Sequence, residues 1–181
     1  MKITLSQKIL SGFIACTAIL VSVAIFSFRN SEKFIDTNNW VNRTHEVLNA
    51  FNQVFIATLD LETGSRGFVI TGNIDFLEPY NNAKIKINEH IDKVKNLTSD
   101  NPIQQENIKL LQEQIENKKN HLEKTIEFRK ENFEKALKNV SSGKGNKIQE
   151  EIRRIIANCK DVEEKLLVKR EKSSKEDANN F

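Results

Sequence analysis

Residues 102–140 read PIQQENIKLLQEQIENKKNHLEKTIEFRKENFEKALKNV, with apolar side chains at Ile108, Leu111, Ile115, Leu122, Ile126, Phe133, Leu137 and Val140. Steps of three, four and seven lay that set along one narrow stripe of an α-helix. A strand would need alternation every second residue, and this stretch has none. Asn101 stands at the cap position, Pro102 at the first helical position, and Gln104 where a capping box closes. Unbroken, the segment would be roughly 60 Å long at 1.5 Å per residue, which implies an elongated rod.

The same reading extends to both sides. Upstream, Tyr80, Ile87, Ile91, Val94 and Leu97 mark one face of a second segment, which starts between Asp75 and Pro79. Before it, Val41, Thr44, Leu48, Phe51, Phe55 and Thr58 recur at three and four. Downstream, Ile148, Ile152, Ile155, Cys159, Val162 and Leu166 form a last seam, with Asn146 and Gln149 repeating the cap arrangement. Beyond residue 28, glycine and proline fall in three places only: Gly64 to Pro79, Pro102, and Gly143 to Gly145. Three interruptions make four helices. Narrow seams close to a seven-residue repeat suit a slender bundle.

Ahead of these helices, residues 9–28 read ILSGFIACTAILVSVAIFSF, twenty residues without a charge. As a helix they span roughly 30 Å, a bilayer core. Lys2, Lys8 and the amino terminus favour a cytoplasmic start, residues 1–8. A cleaved signal peptide is the rival, with Ser22-Val23-Ala24 as a cleavage site. Against it, Ile25, Phe26 and Phe28 continue the run past the length of an ordinary signal core. Either way the remainder is exported. The fold class expected is therefore all-α: an N-terminal transmembrane helix, then an elongated antiparallel four-helix bundle over residues 29–175. A polar tail, 176–181, would lead toward a second transmembrane helix that this sequence does not contain.

Of 181 residues, 38% are hydrophobic and 29% charged, so outside the apolar run the helices must be thin and well solvated. Twenty-eight basic and 25 acidic residues, interspersed, give a net charge of +3 and no clustered basic stripe, so no nucleic-acid partner is expected. Cys16 in the apolar run and Cys159 on the last seam occupy different environments, so packing and not a disulfide must hold the domain. His45, His90 and His121 lie on three segments without ligand spacing. With no phosphate loop and no paired zinc histidines, no catalytic residue, metal or cofactor is read.

One polar stretch stands out: Glu62-Thr63-Gly64-Ser65-Arg66-Gly67-Phe68-Val69-Ile70-Thr71-Gly72. Glu62 and Arg66, four apart, can pair along one helix face, on or beside the buried stripe. Charge placed there needs partners. Gly64, Gly67 and Thr71 form a small-residue strip that lets a neighbouring helix, or a ligand, approach the backbone. Close packing with Gly72 ending the helix explains the composition; a polar pocket at the membrane-distal end is the functional alternative.

This stretch, followed by Phe76-Leu77-Glu78-Pro79-Tyr80, resembles the third type of CHASE domain, the cyclase- and histidine-kinase-associated sensory extracellular domain. Trp40-Val41, Thr44 and Val47-Leu48 are similar to the family's opening, and Asp100-Asn101-Pro102 with Gln104 to its second hairpin. Gly143, Gly145, Ile152-Arg153, Glu163 or Glu164, Leu166-Leu167 and Arg170 fall in the family's order. The resemblance covers residues 29 to 175, with one departure: Arg43 stands where the family often has histidine. It implies a four-helix extracytoplasmic bundle between two membrane helices, found on histidine kinases, nucleotide and diguanylate cyclases and chemoreceptors, and it supplies no ligand. Its motif positions here are Glu62, Thr63, Gly64, Arg66, Gly67, Thr71, Gly72, Pro79, Tyr80 and Arg153.

The expected function is the non-catalytic sensory input domain of a transmembrane receptor, a sensor histidine kinase, passing a stimulus across the membrane by helix displacement. The site would be extracytoplasmic, the location the bacterial inner membrane, and the stimulus an unidentified small molecule or protein. The bilayer contacts residues 9–28, and a parallel homodimer is expected because narrow seams leave apolar surface. The alternative is a membrane-tethered helical scaffold or spacer.

Overall fold

In a computed structural model of the chain, residues 5–179 are described. Residues 1–4, 180 and 181 lie outside them, and with them Lys2 and the end of the polar tail. Side chains of residues 6–8, 30–34, 36–38 and 174–179 are likewise outside, Lys8 included. The described residues form helices and turns only: α1 (Leu5–Thr71), a 3-10 turn (Ile74–Phe76), α2 (Leu77–Leu97), α3 (Pro102–Glu131), α4 (Phe133–Ser141) and α5 (Lys144–Asn179). The chain divides into two units, one of Met1–Asn42 with Val168–Phe181, the other Arg43–Leu167.

The first unit holds the apolar stretch Ile9–Arg29, the described segment long and apolar enough to cross a membrane. Its side chains are exposed throughout, as a lipid-facing surface would be. In the same unit the Arg170 guanidinium lies 3.6 Å from the centre of the Trp40 ring, joining α1 to α5 by a cation–π contact.

The second unit is built on heptad-like seams. In α1 the buried positions Thr44, Val47, Phe51, Val54, Thr58, Leu61, Ser65 and Phe68 alternate by three and four. This stripe is rotated from the expected one: Leu48 and Phe55 are half-buried, and Val47, Val54 and Leu61 take the inner places. The α3 seam runs Gln104, Ile108, Leu111, Ile115, Lys118, Leu122 and Thr125. One core joins these to Tyr80, Ile87, Ile91 and Val94 of α2 and to Ile148, Ile152, Ile155 and Cys159 of α5. Each fully buried large aliphatic or aromatic contributes about 1.5–3 kcal/mol by leaving water.

Cross-helix contacts set the directions. Arg43 of α1 meets the end of α2 at Leu97, whereas Gly64 meets its start at Tyr80, so α1 and α2 run antiparallel. Gln104 of α3 reaches Cys159 of α5, and Lys118 reaches Gly145, so these also run antiparallel. The same holds for α1 and α5, through Asn52 with Lys160 and Thr58 with Gln149.

Turn chemistry follows the sequence closely at some ends and departs at others. Gly72, at φ 72°, ends α1 with its N–H on Phe68 O at 2.8 Å. Asn101 caps α3 by accepting from Gln104 N at 3.3 Å, with Pro102 in the first turn. Gln104 does not close a box, because its buried amide is turned to α5 instead. The last helix starts at Lys144, two residues before the expected Asn146 cap, after Gly143 at φ 71°. Gln149 is occupied in the core by Thr58 Oγ1 at 3.1 Å. The third segment is not one rod: Asn132, extended at φ −159° and ψ 129°, ends α3 and caps α4 by accepting from Lys135 N at 3.2 Å. That competing bond offers the backbone an exit from the helix.

Candidate functional site

Seams of this kind are apolar by default, so a charge within one marks a position of interest. Lys118 occupies the α3 seam between Ile115 and Leu122, and its side chain is fully buried. It forms an ion pair and hydrogen bond with the Glu62 carboxylate of α1, and its Nζ also donates to Gly145 O of α5 at 3.3 Å. Glu62 takes a second cation from its own helix, Arg66 one turn on. The Glu62–Arg66 pair is the one the sequence spacing anticipates. Its third member, Lys118, was not anticipated.

Electrostatics around this triad are set by burial. Burial pushes the Lys118 ammonium down from its ordinary value, Glu62 acts in the opposite direction, and Arg66 adds to the lowering. His121, one turn along α3, is also buried. Burial first, then Lys144 and Lys118, hold its imidazole below the ordinary 6.5, with Glu62 opposing. Gly145 explains how α5 comes this close: a Cβ there would stand 3.0 Å from His121 Nε2. The Thr125 hydroxyl donates to His121 O at 2.8 Å and accepts from Asn139 Nδ2 at 2.7 Å, tying α4's flank to α3. A cavity of about 40 Å³ lies among these groups, and Ser65, 1% exposed, lines it. Ser65 Oγ has no hydrogen-bond partner among the described residues.

The other motif residues serve neighbouring tasks. Gly64 and Gly67 form the close approach to the start of α2 and the 3-10 turn before it: a Cβ on Gly64 would stand 2.8 Å from Tyr80 N, and one on Gly67 2.5 Å from the Phe76 ring. Tyr80 is buried, and burial, then Glu123, pushes its phenol up to about 12. Thr63 is exposed. Thr71 donates to Gly67 O at 2.8 Å and accepts from Asn73 N at 3.1 Å, closing the turn. Beside Gly72, Arg129 Nε donates to Val69 O at 2.7 Å. Pro79 is exposed and lines an outer groove between α1 and α2. Arg153 stands apart from the triad, exposed, paired with Glu150 at 2.6 Å and 5.6 Å from the Phe55 ring centre.

Arg43, at the family's frequent histidine position, donates to Leu97 O at 2.7 Å and to Asp100 at 2.5 Å, capping the C-terminal end of α2. A second polar layer lies toward the other end of the unit, where Gln104 Nε2 donates to Cys159 O and to the buried Glu163, both at 2.8 Å. Burial, then Glu163, pushes the Cys159 thiol up to about 12, so it remains a packed, protonated side chain.

Comparison with known proteins bears on the whole of this unit. The family model of the CHASE3 domain matches residues 37–173. Among solved structures, the sensor domain of a histidine kinase, HK9, from Rhodopseudomonas palustris has the same fold: TM-score 0.66 and 24% identity over 69% of this chain and 98% of that one. No curated protein sequence matches.

Proposed function

Because the chain belongs to the CHASE3 domain family, we propose that it is the extracytoplasmic sensory input domain of a transmembrane receptor, with a histidine kinase as its output. The observation that carries this reading is the family match over residues 37–173, directly following the apolar stretch Ile9–Arg29 on the same helix. That stretch is the membrane anchor in the proposal, with residues before it cytoplasmic and Arg43–Leu167 outside. The sensory family is consistent with a non-catalytic module: the buried Lys118 is paired with Glu62, and what the pair offers is a charge balance that a stimulus can disturb.

In this account the Glu62–Lys118–Arg66 triad is the responsive element, because it links α1, α3 and α5. Packed helices occupy discrete arrangements, so a changed charge balance favours one arrangement over another. Helices α1 and α5 then carry the displacement toward the membrane, and a parallel homodimer doubles it for a paired output. Fusing alkaline phosphatase after Phe181 in cells tests the topology. The proposal expects an active, exported phosphatase; a fluorescent cytoplasmic protein fused there instead, with an inactive phosphatase, would overturn it.

A further inference from the structure

The cavity beside the triad has the composition of an anion site. Its walls include one carboxylate, Glu62, and two basic side chains, Arg66 and the Lys118 ammonium that Glu62 holds. Lys144, at the start of α5, adds further positive potential, since it acts on His121. His121 itself is held toward neutrality. The walls thus carry more positive than negative charge around a fully buried ammonium, with Arg66 at the half-exposed edge, and such an excess attracts a counter-charge.

Donors are also in surplus. Lys118 Nζ has three N–H groups, of which Glu62 and Gly145 O take two. Ser65 Oγ is buried, lines the cavity and has no partner among the described residues. Gly145 and Asn146 line it too, and they belong to the first turn of α5, where N–H groups lack intrahelical acceptors. Thr125 is already committed to His121 O and Asn139.

The volume limits what can enter. About 40 Å³ is several times the roughly 10–15 Å³ that one water requires. It admits a halide or a one- or two-carbon carboxylate and excludes sugars and amino acids.

We propose that this cavity binds one small monovalent anion, chloride to acetate in size, between Ser65, Lys118 and the first turn of α5. The proposal deepens the sensory reading by naming a ligand class for the triad, but binding does not depend on that reading. An anion bound with no change in receptor output would retain the site and remove its sensory role.

The test is thermal unfolding of the full chain in detergent micelles, in sodium chloride, sodium acetate or sodium gluconate at constant ionic strength. Gluconate is the anion too large to enter. The expected result is a saturable rise in Tm with chloride or acetate over gluconate. Ser65→Ala should raise the half-saturating concentration about fivefold, as loss of one hydrogen bond does. Lys118→Met should abolish the rise. Equal Tm in all three salts would mean that only water fills the cavity, and would overturn the proposal. So would a saturable rise unchanged in Ser65→Ala, which decides the matter should Lys118→Met not fold.

Discussion

Replacing Glu62 by Gln leaves the fully buried Lys118 ammonium with an amide and one backbone carbonyl in place of a carboxylate. Removing one partner of a buried ion pair costs about 3–5 kcal/mol, because the other charge stays uncompensated. The Glu62 side chain is 13% exposed and shares its charge with the half-exposed Arg66, so the low end, about 3 kcal/mol, applies. At about 3 °C per kcal/mol for a unit of this size, Tm should fall by about 10 °C. Lys118→Met alone should cost less, since Arg66 still neutralises Glu62. In the double variant no lone buried charge remains, since Arg66 is half-exposed, so its loss should fall short of the two single losses added, by about 2 kcal/mol. The pH response gives an independent sign. Lys118 binds its proton less readily folded than unfolded, and Glu62→Gln widens that difference. The unfolded state then holds more protons, so stability rises with pH and the deficit should narrow as pH rises toward the ordinary lysine value of 10.5. Circular dichroism of the solubilised chain measures all of this. A Glu62→Gln loss below about 3 °C, or strictly additive losses, would refute the reasoning.

Three further outcomes follow from named contacts. His121 is held below 6.5 in the fold, so its contribution is complete above that value and is lost as pH falls through the window beneath it. The fall in Tm from about pH 7.5 to about pH 5.5 should therefore be smaller in His121→Gln. Gly64→Ala would set a Cβ 2.8 Å from Tyr80 N and 2.9 Å from Phe76 O, both backbone atoms that cannot swing aside. Thermal unfolding should show a cost of about 2–3 kcal/mol. Cys159, 0% exposed with its thiol pushed up to about 12, should resist a maleimide in the folded chain and react only on unfolding.

The helical class and most of the breaks were legible because they rest on residues with unusual backbones. Gly72 and Gly143 at positive φ, and Pro102 in a first turn, can be recognised from identity alone. The break at Asn132 involves neither glycine nor proline. Its signal was the seven-residue step from Ile126 to Phe133, where a seam position is skipped. The same kind of gap, between Ile115 and Leu122, marked the level of Lys118. A lysine there reads as solvated by composition, and only a facing carboxylate from another helix makes its burial tolerable. Glu62 with Arg66 could be found because i and i+4 lie on one helix, whereas Lys118 comes from 56 residues away. Gln104 and Gln149 suit a capping box in one dimension and a core hydrogen bond in three, and the core took both. Leu48 and Phe55 are larger than Val47 and Val54, yet the smaller residues take the inner places of α1. Size does not decide which side of a helix faces its neighbours.

The central claim is that the Glu62–Lys118–Arg66 triad sets the state of the sensory domain. Output activity of the intact receptor in membranes tests it most directly, with Glu62→Gln and Arg66→Ala compared against the unaltered protein at equal helicity. The account predicts that basal or stimulated output shifts several-fold in both. Unchanged output from both variants, with the domain still folded, would contradict it.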